Sequence, residues 1–168
     1  MFTSTIDFEK TWAYESEATL KVMKALTDAS LSTRVANDHR TLGALAWHIV
    51  TSLPEMINRT GLNLLEPKED SPTPTSAAAI ARAYATASDG LLEQVTGAWG
   101  DGDLHSEDEM YGQKWKKGMT LRALVNHQIH HRGQMTVLMR QAGLAVPGVY
   151  GPSREEWSAM GIPLPAVD

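Results

Sequence analysis

The sequence predicts an all-α protein that folds as a four-helix bundle in one domain spanning residues 1–168. Three observations support this prediction. Four segments carry apolar residues at helical spacing, Pro and Gly residues separate these segments, and a long Pro-rich stretch divides the four into two pairs. A chain of 168 residues is long enough to bury about two-thirds of its unfolded surface in one core. We therefore expect two helix pairs joined by a long crossover connection.

The first two predicted helices lie before the Pro-rich stretch. The first runs from Asp7, as its N-cap residue, to about Thr27. The second runs from about Thr41 to Thr60, and its apolar residues recur at the spacing of an amphipathic helix. Pro54 lacks a backbone donor, so we expect a bend in the second helix at this residue.

The crossover connection and the third helix follow. The stretch from Gly61 to Thr75 cannot continue a helix because it contains several prolines, and it therefore predicts a long loop. The third helix starts after Thr75 or Ser76 and extends towards Trp99. Its first half is rich in alanine, so a neighbouring helix can approach it closely.

The fourth helix is preceded by a glycine-rich connection, in which we expect a short strand or hairpin around Met110 to Trp115. The helix itself is predicted to open with Thr120 as N-cap and to end at Gly143. Gly133 lies inside it, where glycine is unfavourable, and this indicates either close packing against another helix or room for a ligand. The remaining tail is rich in Pro and Gly, with one helical turn expected around residues 155–160.

Composition narrows the classes of function. The chain has no cysteine, which excludes disulfides, a catalytic Cys and thiolate metal sites, and leaves His, Asp and Glu as the strong metal ligands. Fifteen Lys and Arg stand against twenty Asp and Glu, giving a net charge of −5, so we expect no nucleic-acid partner. The longest apolar run, from Leu42 to Val50, is too short to span a bilayer, and the amino terminus does not look like a signal peptide. We therefore expect a cytoplasmic protein without a membrane partner.

Two histidines on the predicted fourth helix, His127 and His131, give the main indication of chemistry. Residues four apart share one helix face, so both rings can reach one metal ion. The spacing is similar to the H-E-x-x-H motif of zinc peptidases, in which the Glu acts as general base. Gln128 stands at that position here, and a carboxamide does not take up a proton at neutral pH. The pair predicts a metal site without the peptidase base.

His48 is the candidate third ligand, because it lies at the edge of the apolar stripe of the second helix. Together with His127 and His131 it would supply three nitrogens and leave positions open for water or substrate, as in catalytic zinc sites. Two plainer interpretations remain open. A lone His on an apolar face is more often a core residue satisfied by a hydrogen bond, and the pair could belong to a polar patch that includes His130. His130 is rotated by about 100° from His131, so we expect it beside the site rather than in it.

Three segments resemble the DinB/YfiT-like superfamily: LAWHI at residues 45–49, NHQIHHRGQ at residues 126–134, and LMRQAGLAVP at residues 138–147. The resemblance covers nearly the whole chain. It implies a four-helix bundle of the DinB/YfiT-like type, usually a homodimer, with a divalent zinc or nickel ion held by His48, His127 and His131. Characterised members of this superfamily include thiol-dependent transferases and isomerases that use bacterial low-molecular-weight thiols such as bacillithiol or mycothiol.

We interpret the chain as a metal-dependent enzyme of the thiol S-transferase type that acts on a small-molecule substrate. The thiol would be exogenous, because the chain has no cysteine. The alternatives are a metal-dependent hydrolase and a dimeric metal-binding or ligand-binding module without catalysis. A basic pocket wall for the carboxylates of a thiol would favour the transferase, whereas a carboxylate beside a metal-bound water would favour the hydrolase. We expect the homodimer to bury helix faces away from the metal crevice.

Overall fold

A computed structural model of the chain describes residues 1–65, 67–68 and 70–163. Within these ranges the fold is mostly helical, with a small two-stranded sheet. Its elements are α1 (Thr5–Lys24), α2 (Leu42–Ile57), α3 (Ala77–Ala98), β1 (Glu107–Met110), β2 (Gln113–Lys116), α4 (Lys117–Gln141) and α5 (Arg154–Ala159). No helix in the described part of the chain is long and apolar enough to cross a membrane.

The four long helices pack on one another around a single apolar core. α1 lies against α3 and α4, and α2 also lies against α3 and α4. The largest fully buried side chains come from α1, α2, α3, the turn before β1, and β1: Phe8, Trp12, Met23, Leu42, Ile49, Leu53, Ile57, Ile80, Tyr84, Leu91, Leu104 and Met110. The contact between α2 and α4 matters most for function, because these two helices carry the predicted metal ligands.

The caps of α2 and α3 agree with the sequence prediction. The Thr41 hydroxyl accepts from the Ala44 amide at the start of α2, and the Ser76 hydroxyl accepts from the Ala79 amide at the start of α3. Such side-chain caps satisfy backbone donors that the first helical turn leaves without partners. α2 continues past Pro54 for three residues, and a short 3₁₀ turn follows it.

Two predicted helix starts are wrong. α1 begins at Thr5 with Ser4 as its N-cap, and the Ser4 hydroxyl accepts from the Asp7 amide. Asp7 lies instead in the first turn, where the positive end of the helix dipole stabilises a carboxylate. α4 begins at Lys117, and Thr120 is buried inside it. The reason is that strand β2 leads directly into α4, so this helix starts without a side-chain cap.

The expected hairpin is present, shifted towards the amino terminus. Met110 of β1 pairs with Gln113 of β2, and the two-residue turn between them is formed by Tyr111 and Gly112. Both turn residues have positive φ angles, 53° and 75°, which suits the twist of an antiparallel pair. The turn brings the Tyr111 hydroxyl to the Glu55 carboxylate of α2, at 2.6 Å. The hairpin thus contacts the helix that carries His48.

Candidate metal centre

Three histidines from two helices converge at the contact between α2 and α4. His48 lies on α2, and His127 and His131 lie one turn apart on α4. Each offers one ring nitrogen, and these nitrogens all lie within 4.8 Å of one another. The structure therefore brings together the three histidines that the sequence singled out, and they could hold a metal ion.

The spacing of the ring nitrogens fits a common ion. His127 Nε2 lies 3.2 Å from His131 Nε2. Two nitrogens bound to one tetrahedral zinc ion at about 2.0–2.1 Å lie about 3.4 Å apart. The rings of the three residues meet edge to face, at interplanar angles of 72°, 76° and 81°. The three rings are therefore not stacked on one another.

Burial favours the neutral, metal-binding form of these imidazoles. Burial, and then the charge of Arg40, lowers the pKa of His48 to about 4. Burial, and then the neighbouring His131, lowers the pKa of His127 to about 4. Burial also lowers the pKa of His131. A proton and a metal ion compete for the same nitrogen, so three imidazoles that are neutral near pH 7 are available as ligands.

The ring of His131 is oriented by a glutamine one turn further along α4. His131 Nδ1 donates to Gln134 Oε1 at 2.7 Å, because a carbonyl oxygen can only accept. The remaining nitrogen, Nε2, then keeps its lone pair on the side of His127. Gln134 Nε2 lies 3.2 Å from His130 Nε2. The His130 nitrogen therefore contacts Gln134, which orients His131, and not the three converging nitrogens. The sequence placed Gln134 on the His127 side of α4 without indicating this role.

The hydrogen bonds of these histidines bear on the plainer interpretations. A structural core histidine normally has hydrogen-bond partners. His127 Nδ1 is buried without a hydrogen-bond partner among the described residues. The ring of His48 makes no hydrogen bond within the described part of the chain. Partly buried rings with unpaired nitrogens are typical of a site that binds something else.

Gln128 does not lie beside the three histidines, although it occupies the position of the peptidase base in the motif. Its side chain is buried against α1 and α3, where its Oε1 accepts from the Tyr84 hydroxyl at 2.7 Å and from the Thr19 hydroxyl at 3.3 Å. One residue corresponds to a rotation of about 100° around a helix. Gln128 is therefore part of the core, and the comparison with peptidases applies to ligand spacing alone.

Two charged side chains, one before α2 and one near its carboxyl end, affect the pKa values of the histidines in opposite directions. Arg40 precedes the first residue of α2 and lowers the pKa of all three histidines, after burial. Glu55 lies two turns beyond His48, and its carboxylate opposes the lowering of the His127 pKa. Glu55 is itself engaged on both oxygens, by Arg59 and by Tyr111. The candidate centre thus lies between a cation and a carboxylate.

Comparisons with known proteins bear on the family and the fold of this chain. The family model described as "DinB family" matches residues 1–164. A Bacillus subtilis (strain 168) protein described as "Uncharacterized protein YrdA" is 44% identical over 165 residues, which is 98% of this chain and 99% of that protein. The crystal structure of a DinB-like protein from Bacillus cereus ATCC 10987 is 46% identical, covers 89% of this chain and 100% of its own, and has a TM-score of 0.86. The DinB-like protein YjoA of Bacillus subtilis, at 16% identity and a TM-score of 0.67 over 85% of this chain and 97% of its own, shares the fold.

Proposed function

Because this chain belongs to the DinB family, we propose that it is a divalent-metal-dependent enzyme of the thiol S-transferase type. The observation that carries the proposal is the convergence of three ring nitrogens within 4.8 Å of one another. We assign His48, His127 and His131 as the ligands of one zinc or nickel ion, since imidazole suits both metals. Three protein ligands leave coordination positions open, as in catalytic sites.

The residues of the chain bind and orient in this proposal. The three histidines supply neutral nitrogens, and Gln134 fixes the ring of His131 by accepting its Nδ1 hydrogen bond. When bound, a divalent ion lowers the pKa of a coordinated thiol and so provides a sulfur nucleophile near neutral pH. The thiol is an exogenous low-molecular-weight molecule, because the chain has no cysteine.

A metal-dependent hydrolase is the second candidate, and Glu55 is the observation that favours it. Its carboxylate is close enough to oppose the lowering of the His127 pKa, as a general base beside a water would be. However, Oε1 accepts from Arg59 Nε at 3.2 Å, and Oε2 accepts from the Tyr111 hydroxyl at 2.6 Å. Both carboxylate oxygens are therefore already engaged by side chains other than the histidines. We rank the transferase first for this reason.

The assembly and domain organisation belong to the same proposal. We propose that residues 1–168 form one domain, that α1 to α4 form a four-helix bundle with a long crossover, and that two copies form a homodimer. The packing of α1 and α2 against both α3 and α4 supports the bundle. The homodimer rests on the family resemblance. Light scattering at micromolar concentration should report twice the mass of the chain, and a monomer at every accessible concentration would contradict the dimer.

Metal content and two substrate panels test the function. Purified protein should contain about one zinc or nickel ion per chain, and His131→Ala should contain none, because two ligands make an inadequate site. The matched control is His105→Ala, which removes an exposed histidine from the turn after α3 and should leave the metal in place. Full occupancy in the double variant His127→Ala/His131→Ala would contradict the ligand assignment.

The activity assays then separate the three functions. Metal-loaded protein should accelerate conjugation of a low-molecular-weight thiol to an aryl halide, and His131→Ala should not. Ester or amide cleavage without a thiol would replace the transferase with the hydrolase. A metal-replete, folded protein that is inactive towards both panels would identify a non-catalytic metal-binding or ligand-binding module.

A further inference from the structure

A cavity of about 370 Å³ opens beside His131, on the side of the centre nearest to Arg40. This volume is in the range of pockets that bind small molecules, which is roughly 300–1,000 Å³. Its lining combines the aliphatic side chains of Val35, Leu45, Val137 and Leu138 with the polar side chains of His39, Arg40, His131 and Gln134. The cavity therefore joins one of the proposed metal ligands to a wall of different chemistry.

Most of that wall is aliphatic. Leu45 and Leu138 are buried in the core and form its inner part. Val35 and Val137 stand at its opening and are 62% and 57% exposed. Branched aliphatic side chains left in water gain free energy when an apolar group covers them. The wall thus favours a ligand with a hydrocarbon portion.

Arg40 places a single unpaired cation in this apolar wall. No residue that the structure describes forms a hydrogen bond or ion pair with its guanidinium. The nearest acidic neighbour in sequence, Asp38, faces His39 instead, at 2.8 Å between Oδ1 and Nδ1. A guanidinium presents five donors in a planar fork that matches a carboxylate. The cation therefore lacks a partner of the kind that Arg132, Arg59 and Arg140 each have.

We propose that this cavity binds a small apolar monocarboxylate, with Arg40 holding the carboxylate and the aliphatic wall holding the hydrocarbon portion next to the centre. The proposal rests on the proposed function, because it names the substrate class of the same site. One unpaired guanidinium balances one negative charge. A phosphate carries about two charges near neutral pH, whereas Arg40 is the one Lys or Arg side chain in this lining, and His39 already faces Asp38.

Binding of a simple probe tests the inference without any assay of activity. Hexanoate and its uncharged analogue hexanamide are titrated into the metal-loaded protein by calorimetry. Hexanoate should bind about tenfold more tightly than hexanamide, because a charge-assisted bidentate hydrogen bond is lost in the amide. Hexyl phosphate is the third probe. Equal affinity for hexanoate and hexanamide, or a higher affinity for hexyl phosphate, would overturn the assignment of a carboxylate.

Two variants and a matched control locate the contact. Arg40→Ala should lower the affinity for hexanoate about tenfold, to the level of hexanamide. Val137→Glu places a negative charge at the exposed opening and removes part of the aliphatic wall, so it should weaken the binding of both probes and that of hexanoate by the larger factor. Arg82→Ala is the control, since Arg82 lines a separate apolar groove between α1 and α3. Unchanged hexanoate affinity in Arg40→Ala, or an equal loss in Arg82→Ala, would refute the role of Arg40.

The same titrations on metal-free protein keep the two proposals apart. A carboxylate could bind a metal ion directly, so the difference between wild type and Arg40→Ala must persist without metal. Its disappearance in metal-free protein would overturn the Arg40 contact while leaving the metal site intact. If wild type binds no metal but binds hexanoate through Arg40, the proposed enzyme fails and the carboxylate pocket stands.

Discussion

Two pairs of residues on α4 share the same spacing and have opposite surroundings. His127 and His131 face α2, and His131 also lines the cavity, while Gln128 and Arg132, each one residue further on, face α1 and α3. Arg132 is 2% exposed and is satisfied on both Nη atoms. The histidines are partly buried, and His127 leaves its Nδ1 without a hydrogen-bond partner among the described residues. The buried charges on one side of α4 are matched by partners, whereas the other side holds imidazole rings that are turned towards one another and towards His48.

The Arg132 side of α4 ties three parts of the chain together. Arg132 Nη2 donates to Glu15 Oε2 at 2.7 Å, and Nη1 donates to the Thr19 hydroxyl at 3.0 Å, both on α1. The Tyr150 hydroxyl, in the segment before α5, donates to Glu15 Oε1 at 2.7 Å. This side has one unpaired group as well, since Gln128 Nε2 has no hydrogen-bond partner among the described residues. The two buried charged groups of this network, Arg132 and Glu15, are still paired with each other, and both also form hydrogen bonds with neighbouring hydroxyl groups.

The largest expected effect comes from breaking this network. Arg132→Ala should lower the free energy of unfolding by about 3–5 kcal/mol, because it leaves the Glu15 carboxylate buried without its cation. Urea denaturation of metal-free protein measures the change. His131→Ala, one residue away, is the matched variant and should cost less than about 1 kcal/mol, because its partly exposed ring makes few stabilising contacts. Similar losses in both variants would remove the distinction between the two sides of α4.

Removing the metal should produce the next largest effect, and it should act through the histidine side alone. A ligand at about 100 times its dissociation constant stabilises the folded state by about 2.7 kcal/mol. We therefore expect zinc or nickel to raise the melting temperature of wild type and a chelator to reverse the rise. His48→Ala, His127→Ala and His131→Ala should each lose this response. A metal-dependent rise that survives in these variants would place the ion elsewhere.

The third side of α4 faces solvent and contains Gly133. The sequence predicts close packing or room for a ligand at this residue, and the prediction of close packing is wrong, because a Cβ built there meets no atom within 4 Å. Gly133→Ala should therefore raise the free energy of unfolding by about 0.5–1 kcal/mol, since alanine is the better helix former. Denaturant unfolding measures the gain, and metal content should not change. A loss of stability or of metal would show that the open space serves the site.

These sides of α4 also show what the sequence could and could not predict. The i,i+4 histidines and the helix starts near Thr41 and Ser76 depend on residues within one or two turns, so local spacing is enough to predict them. The surroundings of Gln128 depend on α1 and α3, and a rotation of about 100° separates a core position from a ligand position. The start of α4 was missed because no side chain caps it.

Arg40 was missed for a related reason. It lies in the irregular segment before α2, where no periodicity indicates which way a side chain faces. Its importance comes from what is around it in space, namely three histidines, an aliphatic wall and no ion-pair partner among the described residues. Charge pairing of this kind is a property of the tertiary structure. Sequence analysis can propose ligands from spacing, but it cannot recognise a cation without a partner.

The smallest effect should come from the exposed ion pair at the carboxyl end of α4. Arg140 binds the Glu155 carboxylate of α5 through both Nη atoms, but both side chains are well exposed, at 42% and 38%. Each of the two substitutions, Arg140→Ala and Arg132→Ala, breaks one Arg–Glu ion pair. Because water screens the exposed pair, Arg140→Ala should lower the melting temperature far less than Arg132→Ala does. The hydrogen bond from Arg140 lowers the pKa of Glu155 to about 2.

A carboxyl group whose pKa is lowered in the folded state stabilises the fold above its ordinary pKa, and that contribution is lost as the pH falls through the folded-state value. The difference between wild type and Arg140→Ala should accordingly be present at pH 7, decline below about pH 4.5, and vanish near pH 2. Thermal unfolding across this range measures it. If Arg140→Ala cost as much stability as Arg132→Ala at pH 7, the number of charge pairs rather than their burial would set the stability of α4, and the contrast between its sides would lose its physical basis.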